Sequence, residues 1–167
     1  KNWGIVGLGE IGRGVAKVAS AFGANVYYFS TSGVKREEEY TSISLERLLK
    51  ESDIISLHAP LNEQTKNLIN KTNINLIKDG SYLLNLGRGG IVNEVALVES
   101  LKQKDYIALF DVLENEPMKK GSIIEQYKHL KNLIITPHMA WSSIEARERL
   151  IEGIAKNIMG FLRDSAK

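Results

Sequence analysis

Apolar residues recur along this chain in two alternating patterns. Short β-branched or apolar runs at 3–8 (WGIVGL), 25–29 (NVYYF), 53–58 (DIISLH), 82–86 (YLLNL), 106–110 (YIALF) and 132–136 (NLIIT) read as six strands. Between them, Ile11 to Phe22, Ser44 to Glu51, Thr72 to Lys78 and Asn93 to Gln103 carry helical spacing, several opened by a capping Ser, Thr or Asn. A last helix is expected at about 144–163, capped by Ser142, with Ile144, Leu150, Ile151, Ile154 and Ile158 as its buried face. The stretch 115–121, bracketed by Pro117 and Gly121, reads as the clearest loop. Strands alternating with helices predict the α/β class, with βαβ units building a parallel sheet of about six strands.

Composition narrows the range of partners. A chain of 167 residues, 43% hydrophobic and 25% charged, suits one domain with its own core. Net charge is +2 from 22 basic and 20 acidic residues spread along the chain, so no basic face for nucleic acid or acidic lipid stands out and a small-molecule partner is expected. The absence of cysteine excludes a disulfide framework and a thiolate metal site, and no metal is expected. With strand-sized apolar stretches and no signal peptide, the reading is cytoplasmic and not membrane-bound. Because Lys1 leads straight into a core strand, the chain reads as a piece of something longer.

Gly7-Leu8-Gly9-Glu10-Ile11-Gly12 is a G-x-G-x-x-G that directly follows a predicted strand and opens a predicted helix, the setting of a dinucleotide-binding turn. Gly7 permits the tight turn, Gly9 lets backbone approach a pyrophosphate, and Gly12 lets helix and strand pack closely. The amides around Glu10 and Ile11, at a helix N-terminus, supply donors and a favourable dipole to two phosphates. A Rossmann-type, doubly wound, three-layer α/β/α domain follows. At the end of the second strand, where an acidic residue would bond the ribose of NAD, the chain has Ser30, followed by Thr31 and Ser32. Lys35 and Arg36 stand close enough to neutralise a 2′-phosphate, yet they also sit in a loop with Glu37, Glu38 and Glu39 as ordinary surface charges. NAD and NADP therefore stay open as cofactors.

Three further segments fall at the carboxyl ends of predicted strands, where open α/β sheets place their ligands. They are Asn85 to Gly90, Asp111 to Pro117, and Thr136 to Trp141, and each offers one chemically capable side chain: Arg88, Glu116 and His138. Together with the glycine turn, His58-Ala59-Pro60 and Thr65, these motifs in this order resemble the D-2-hydroxyacid dehydrogenase family over essentially the whole chain. The resemblance implies that His138 is general acid and base, that Glu116 pairs with it, and that Arg88 holds the substrate. It also implies that Asp111 serves the nicotinamide side, and that Ala59, Pro60, Thr65, Leu86 and Gly87 line the adenosine and diphosphate channel. Arg88, His138 and Ala140 count among the cofactor contacts. The chemistry is coherent: reducing a 2-keto acid needs a proton on its oxygen, an imidazolium can supply it, and a neighbouring carboxylate favours that charged form. A guanidinium fork grips a carboxylate and stabilises developing negative charge.

Other residues have simpler readings. Glu114 reads as a solvated loop charge, His58 as a strand-end residue near the adenosine, and His129 as a surface residue; Trp141 is either core packing or a substrate-facing group. Asn93 reads as a helix cap where the family more often has an acid, and Glu116 separates the chain from formate dehydrogenases, which pair a Gln with their His. The resemblance further implies an absent second domain that closes over the substrate, poor turnover by this piece alone, and a homodimer formed through this domain. The alternative is a dinucleotide-sensing protein similar to the corepressors built on the same fold.

Overall fold

Seven parallel strands form one sheet in the order β3-β2-β1-β4-β5-β6-β7. They are β1 (Asn2–Val6), β2 (Asn25–Phe29), β3 (Thr41–Ser42), β4 (Ile54–Leu57), β5 (Tyr82–Asn85), β6 (Ile107–Phe110) and β7 (Leu133–Ile135). The helices are α1 (Glu10–Ala21), α2 (Leu45–Glu51), α3 (Glu94–Leu101), α4 (Ile123–Tyr127) and α5 (Ile144–Asp164), with one turn of 3-10 helix at Ile74–Leu76. The structure, a computed structural model, describes residues 1–34 and 39–164. The chain divides into two compact units, Lys1–Pro137 and His138–Lys167.

The sheet lies wholly in the first unit. The chain winds outward from β1 to β3, then returns to lay β4 on the other side of β1 and continues to β7, so the strand order reverses between β1 and β4. Register brings the strand ends level: Val6 lies opposite both Phe29 and Leu57, Leu57 opposite Asn85, Asn85 opposite Phe110, and Phe110 opposite Ile135. Gly7, Ser30, His58, Leu86, Asp111 and Thr136, the next residue of each strand, therefore stand in one row along the carboxyl edge.

The two-residue period of each strand sorts its side chains between two apolar clusters. Ile5 and Tyr28 pack with Ala16 and Ala19 of α1. Val6, Ile55, Leu57, Leu83, Ala108 and Phe110 pack in the larger cluster with Leu48 and Leu49 of α2 and Leu97 and Val98 of α3. The helices start where capping chemistry allows: Ser44 accepts the Arg47 N–H ahead of α2, and Asn93 accepts the Ala96 N–H ahead of α3, as its reading as a cap anticipates.

Several expectations need correction. The sheet has seven strands rather than about six, because β3 is a two-residue edge strand that exists only through its pairing with Tyr27 and Tyr28. The expected helix at Thr72 to Lys78 shrinks to the single turn Ile74–Leu76, where asparagine side chains compete with helical bonding: Asn73 accepts the Asn70 N–H, and Asn70 accepts the Thr72 N–H. The short α4 lies just beyond the loop and was not anticipated. Ser143, not Ser142, caps α5 by accepting the Ala146 N–H, while the Ser142 hydroxyl turns back to the Met139 carbonyl. The apolar stripe of α5 is not buried: Ile151 is 66% exposed and Ile158 55%. Periodicity shows that a helix has an apolar face, but not what covers it. None of the described helices is long and apolar enough to cross a membrane.

At the opposite end of the sheet from the carboxyl edge, Asp53 accepts the Asn2 N–H at 2.7 Å and pairs with Lys78 at 2.7 Å. The Lys78 ammonium, then the Asn2 amide, holds its carboxyl below the usual range. A depressed folded value stabilises the protein above the unfolded value and loses that stabilisation as pH falls through the folded one. Asp53→Asn is expected to lower Tm near neutral pH by roughly 2–4 °C, the shift produced by about 1 kcal/mol in a domain of this size. Thermal melts in the acid range should show the gap to wild type closing; a gap independent of pH would refute the account.

Candidate functional site

The glycine turn is shaped by what surrounds each glycine. Gly7 has φ 91° and donates its N–H to the Phe29 carbonyl at 3.0 Å. A Cβ there would lie 3.0 Å from the Ala59 nitrogen, so the turn rests directly on the backbone after β4. At Gly12 a Cβ would come within 2.2 Å of the Gly7 carbonyl oxygen, which makes glycine the residue that lets α1 start so close to β1. At Gly9 nothing among the described residues lies within 4 Å of an added Cβ. Gly9 is also the N-cap of α1 and supplies no capping side chain. Backbone donors at the amino end of α1, around Glu10 and Ile11, thus border open space, the arrangement that suits a phosphate.

Beside this turn lies a groove of about 250 Å³ lined by Gly7, Gly9, Ser30, Thr31, Ser32 and Pro60 of the predicted set, joined by Leu8, Tyr28, His58, Asn62 and Gln64. No carboxylate lines it among the described residues. The Ser30 hydroxyl donates to the Val34 carbonyl at 2.9 Å and lies 3.4 Å from that of Ser32, so the three hydroxyl residues form a tight turn after β2. Lys35 and Arg36 lie outside the described residues. Ala59 and Thr65 are buried rather than lining the groove. The Thr65 hydroxyl donates to the Pro60 carbonyl at 2.6 Å and accepts the Asn62 N–H at 2.8 Å, which locks the 60–65 turn that forms one wall. His58, expected as a strand-end residue near the adenosine, lines the groove; burial pushes its imidazole below the ordinary range, and its buried Nε2 has no hydrogen-bond partner among the described residues.

Further along the edge, the turn after β5 carries Leu86, Gly87 and Arg88. Leu86 is half exposed and Arg88 exposed, its guanidinium donating to the Gly87 carbonyl at 2.7 Å. Asn85, buried at the strand end, ties this turn together by donating to the Arg88 carbonyl at 3.0 Å and accepting the Gly87 N–H at 3.2 Å. Gly89 lets the turn sit on the next loop, since a Cβ there would lie 1.8 Å from the Leu113 carbonyl oxygen. Sequence reading quoted both residues in the motif without giving them these parts, because each acts through backbone contacts. Asp111 is buried and accepts a hydrogen bond from the Thr136 hydroxyl, linking the ends of β6 and β7. Glu116 accepts the Leu113 N–H at 2.8 Å.

His138 opens the second unit, with φ 49°, a left-handed conformation uncommon for a residue with a Cβ and often found at functional positions. Its carbonyl accepts the Trp141 indole N–H at 2.8 Å, and Ala140 sits within that turn. Trp141 is 53% exposed and so is not core packing. The first unit thus gathers the glycine turn, Ser30 to Ser32, Pro60, Leu86 to Arg88, Asp111 and the Glu116 loop at one edge of the sheet.

Comparison with known proteins gives a consistent result. Residues 1–140 match the family described as D-isomer specific 2-hydroxyacid dehydrogenase, NAD binding domain. A glyoxylate reductase of Thermococcus litoralis is 40% identical, covering 98% of this chain and 49% of that protein. Among solved structures, the D-lactate dehydrogenase of Aquifex aeolicus complexed with NAD and lactic acid has a TM-score of 0.87 at 33% identity, covering 98% of this chain and 54% of that one. An acyclic imino acid reductase in complex with NADPH and D-Arg has a TM-score of 0.86 at 34% identity, covering 98% and 52%. The chain spans about half the length of the relatives it matches. The chain belongs to the NAD-binding-domain family of the D-isomer-specific 2-hydroxyacid dehydrogenases.

Proposed function

We propose that this chain is the cofactor-binding half of an enzyme that interconverts a D-2-hydroxy acid and a 2-keto acid. The observation that carries the reading is the open space at Gly9 beside backbone donors, flanked by glycines that admit no side chain, at the point where strand order reverses. These residues fit a dinucleotide: Gly7, Gly9, Glu10, Ile11 and Gly12 take its diphosphate, while Ser30, Thr31, Ser32 and Pro60 border its ribose and adenine. A bound reduced nicotinamide supplies the hydride. The chain itself supplies the rest. Arg88 grips the substrate carboxylate with its planar fork, His138 delivers the proton to the substrate oxygen, and Glu116 orients and supports the imidazole. Asp111 serves the nicotinamide side, Leu86 and Gly87 border the adenosine and diphosphate channel, and Ala140 is a further cofactor contact. The relatives described above are reductases and dehydrogenases by name, which favours an enzyme over a corepressor-like sensor.

NAD and NADP are both admitted. A groove with no carboxylate among the described residues offers no repulsion to a 2′-phosphate there, and the hydroxyls of Ser30 to Ser32 suit either ribose. The reading includes a homodimer through this domain, a cytoplasmic enzyme, and a second domain that closes the cleft over the substrate and excludes water. Parallel titrations of the chain with NADH and NADPH, followed by nicotinamide fluorescence, test it. Saturable binding of either is expected, with the tighter one naming the cofactor. If neither saturates, for this chain or for the full-length polypeptide, the glycine turn is only structural and the reading is wrong.

A further inference from the structure

We infer that Glu94 is a positioning residue whose carboxylate ties the loop carrying Glu116 to the turn carrying Arg88; the catalytic part of this inference rests on the function proposed above. The loop between β6 and α4 has no repeating secondary structure to hold it. Besides the packing of Val112, Leu113 and Met118 against the core, three contacts on its backbone and on Glu116 bear on the site. Glu116 accepts the Leu113 N–H at 2.8 Å, the Glu94 carboxylate accepts the neighbouring Glu114 N–H at 2.7 Å, and the Gly89 backbone packs on Leu113 and Glu114 too closely for any Cβ. Glu116 is thus anchored on the Leu113 N–H, and Glu94 grips the same stretch of backbone at the next residue.

Glu94 can do this because its own position is rigid. It is the first residue of α3, directly after the cap Asn93, whose N–H donates to the Ile69 carbonyl at 2.8 Å and whose side chain accepts the Ala96 N–H at 2.9 Å. Ile69 in turn donates to the Ile91 carbonyl, and Asn67 to that of Gly90, so the run from Arg88 to Glu94 is pinned along a second segment. A carboxylate accepting a backbone N–H makes a shorter, stronger bond than a neutral acceptor. Burial pushes the Glu94 carboxyl above its usual range, the Glu114 amide opposes that push, and the Glu114 charge adds to it. Loss of the tie frees Leu113 and Glu114, and the Glu116 carboxylate moves with them. A displacement of about 1 Å at a reacting group can cost on the order of 100-fold in rate.

The test compares Glu94→Leu, which removes the acceptor, with Glu94→Gln, which keeps one. In this chain, amide exchange at Leu113 and Glu114 should speed up at least about tenfold in Glu94→Leu, with β6 amides unchanged, and stay within about threefold of wild type in Glu94→Gln. In the full-length polypeptide, kcat should fall about tenfold or more in Glu94→Leu with cofactor Kd within about twofold, and Glu94→Gln should recover it. Unchanged exchange at Glu114 in Glu94→Leu overturns the inference. So does unchanged kcat, or a kcat loss fully explained by a smaller folded fraction. Wild-type turnover of 2-keto acids reports separately on the proposed function: if it is absent, that reading fails and the catalytic part of this inference with it, while exchange still reports on the tie itself.

Discussion

Gly12→Ala is expected to weaken cofactor binding at least about tenfold and to destabilise the domain by about 1–3 kcal/mol, the usual consequence of forcing a methyl into filled space. The added Cβ would sit 2.2 Å from the Gly7 carbonyl oxygen and 3.3 Å from the Ile5 side chain. Gly7 cannot yield, because its own φ of 91° and its contact with Ala59 are equally constrained, so α1 must move away from β1 and take its amide donors with it. Two neighbouring glycines separate the causes. Gly9→Ala meets nothing within 4 Å among the described residues, and Gly9 has the extended backbone that alanine tolerates. It should leave Tm within roughly 2–3 °C while still weakening binding, since its methyl projects where a diphosphate would lie. Gly14→Ala, inside α1 with open space around it, should stabilise by roughly 0.5–1 kcal/mol and leave binding alone. Melts and NADH titrations on the three variants check this; equal binding by wild type and Gly12→Ala would show that the turn does not hold the cofactor.

The second large effect concerns the three histidines. In the full-length polypeptide, His138→Ala is expected to lower 2-keto acid turnover by about 10²–10⁴-fold, the range typical for loss of a positioned general acid, with cofactor affinity within about threefold. The proposed reduction places a proton on an oxygen that gains negative charge, and His138 is the residue in the proposed set assigned to give it. His58→Ala should act differently. Its imidazole lines the groove, so cofactor affinity should fall with little change in kcat at saturation. His129 is exposed and stacks on Tyr127 at 6.0 Å, so His129→Ala should change neither. If His138→Ala kept full turnover, the proton would have to come from elsewhere and the assignment of His138 would be lost.

The elements that sequence reading placed best are those whose periodicity is their own. The anticipated strands are short apolar runs legible in the chain itself, and α1 follows a glycine turn whose spacing is legible in six residues. What was missed depended on competing or neighbouring groups that periodicity does not report. β3 is Thr41 and Ser42, ordinary residues made a strand by Tyr27 and Tyr28. The turn at Ile74–Leu76 lost its helix to the asparagine side chains around it. The α5 stripe was legible as an apolar face, but its exposure was not, because burial is a property of neighbours.

The candidate site divides in the same way. Residue identity alone carried the chemistry: three glycines at fixed spacing, an arginine suited to a carboxylate, an acid and a histidine near strand ends, and a serine where an acid was expected. Those are properties of side chains and local spacing, and they do not depend on how the chain folds. Tertiary structure alone decided which groups face the groove and which merely build it. Register levelled the strand ends and set Gly7, Ser30 and His58 beside one another, while the packed fold buries Thr65 and Asp111. It also gave Asn85, Gly89 and Glu94 their work, which passes through hydrogen bonds and contacts with backbone remote in sequence. A local pattern encodes what a residue is able to do, whereas the space around it is set by chain segments that pattern cannot see.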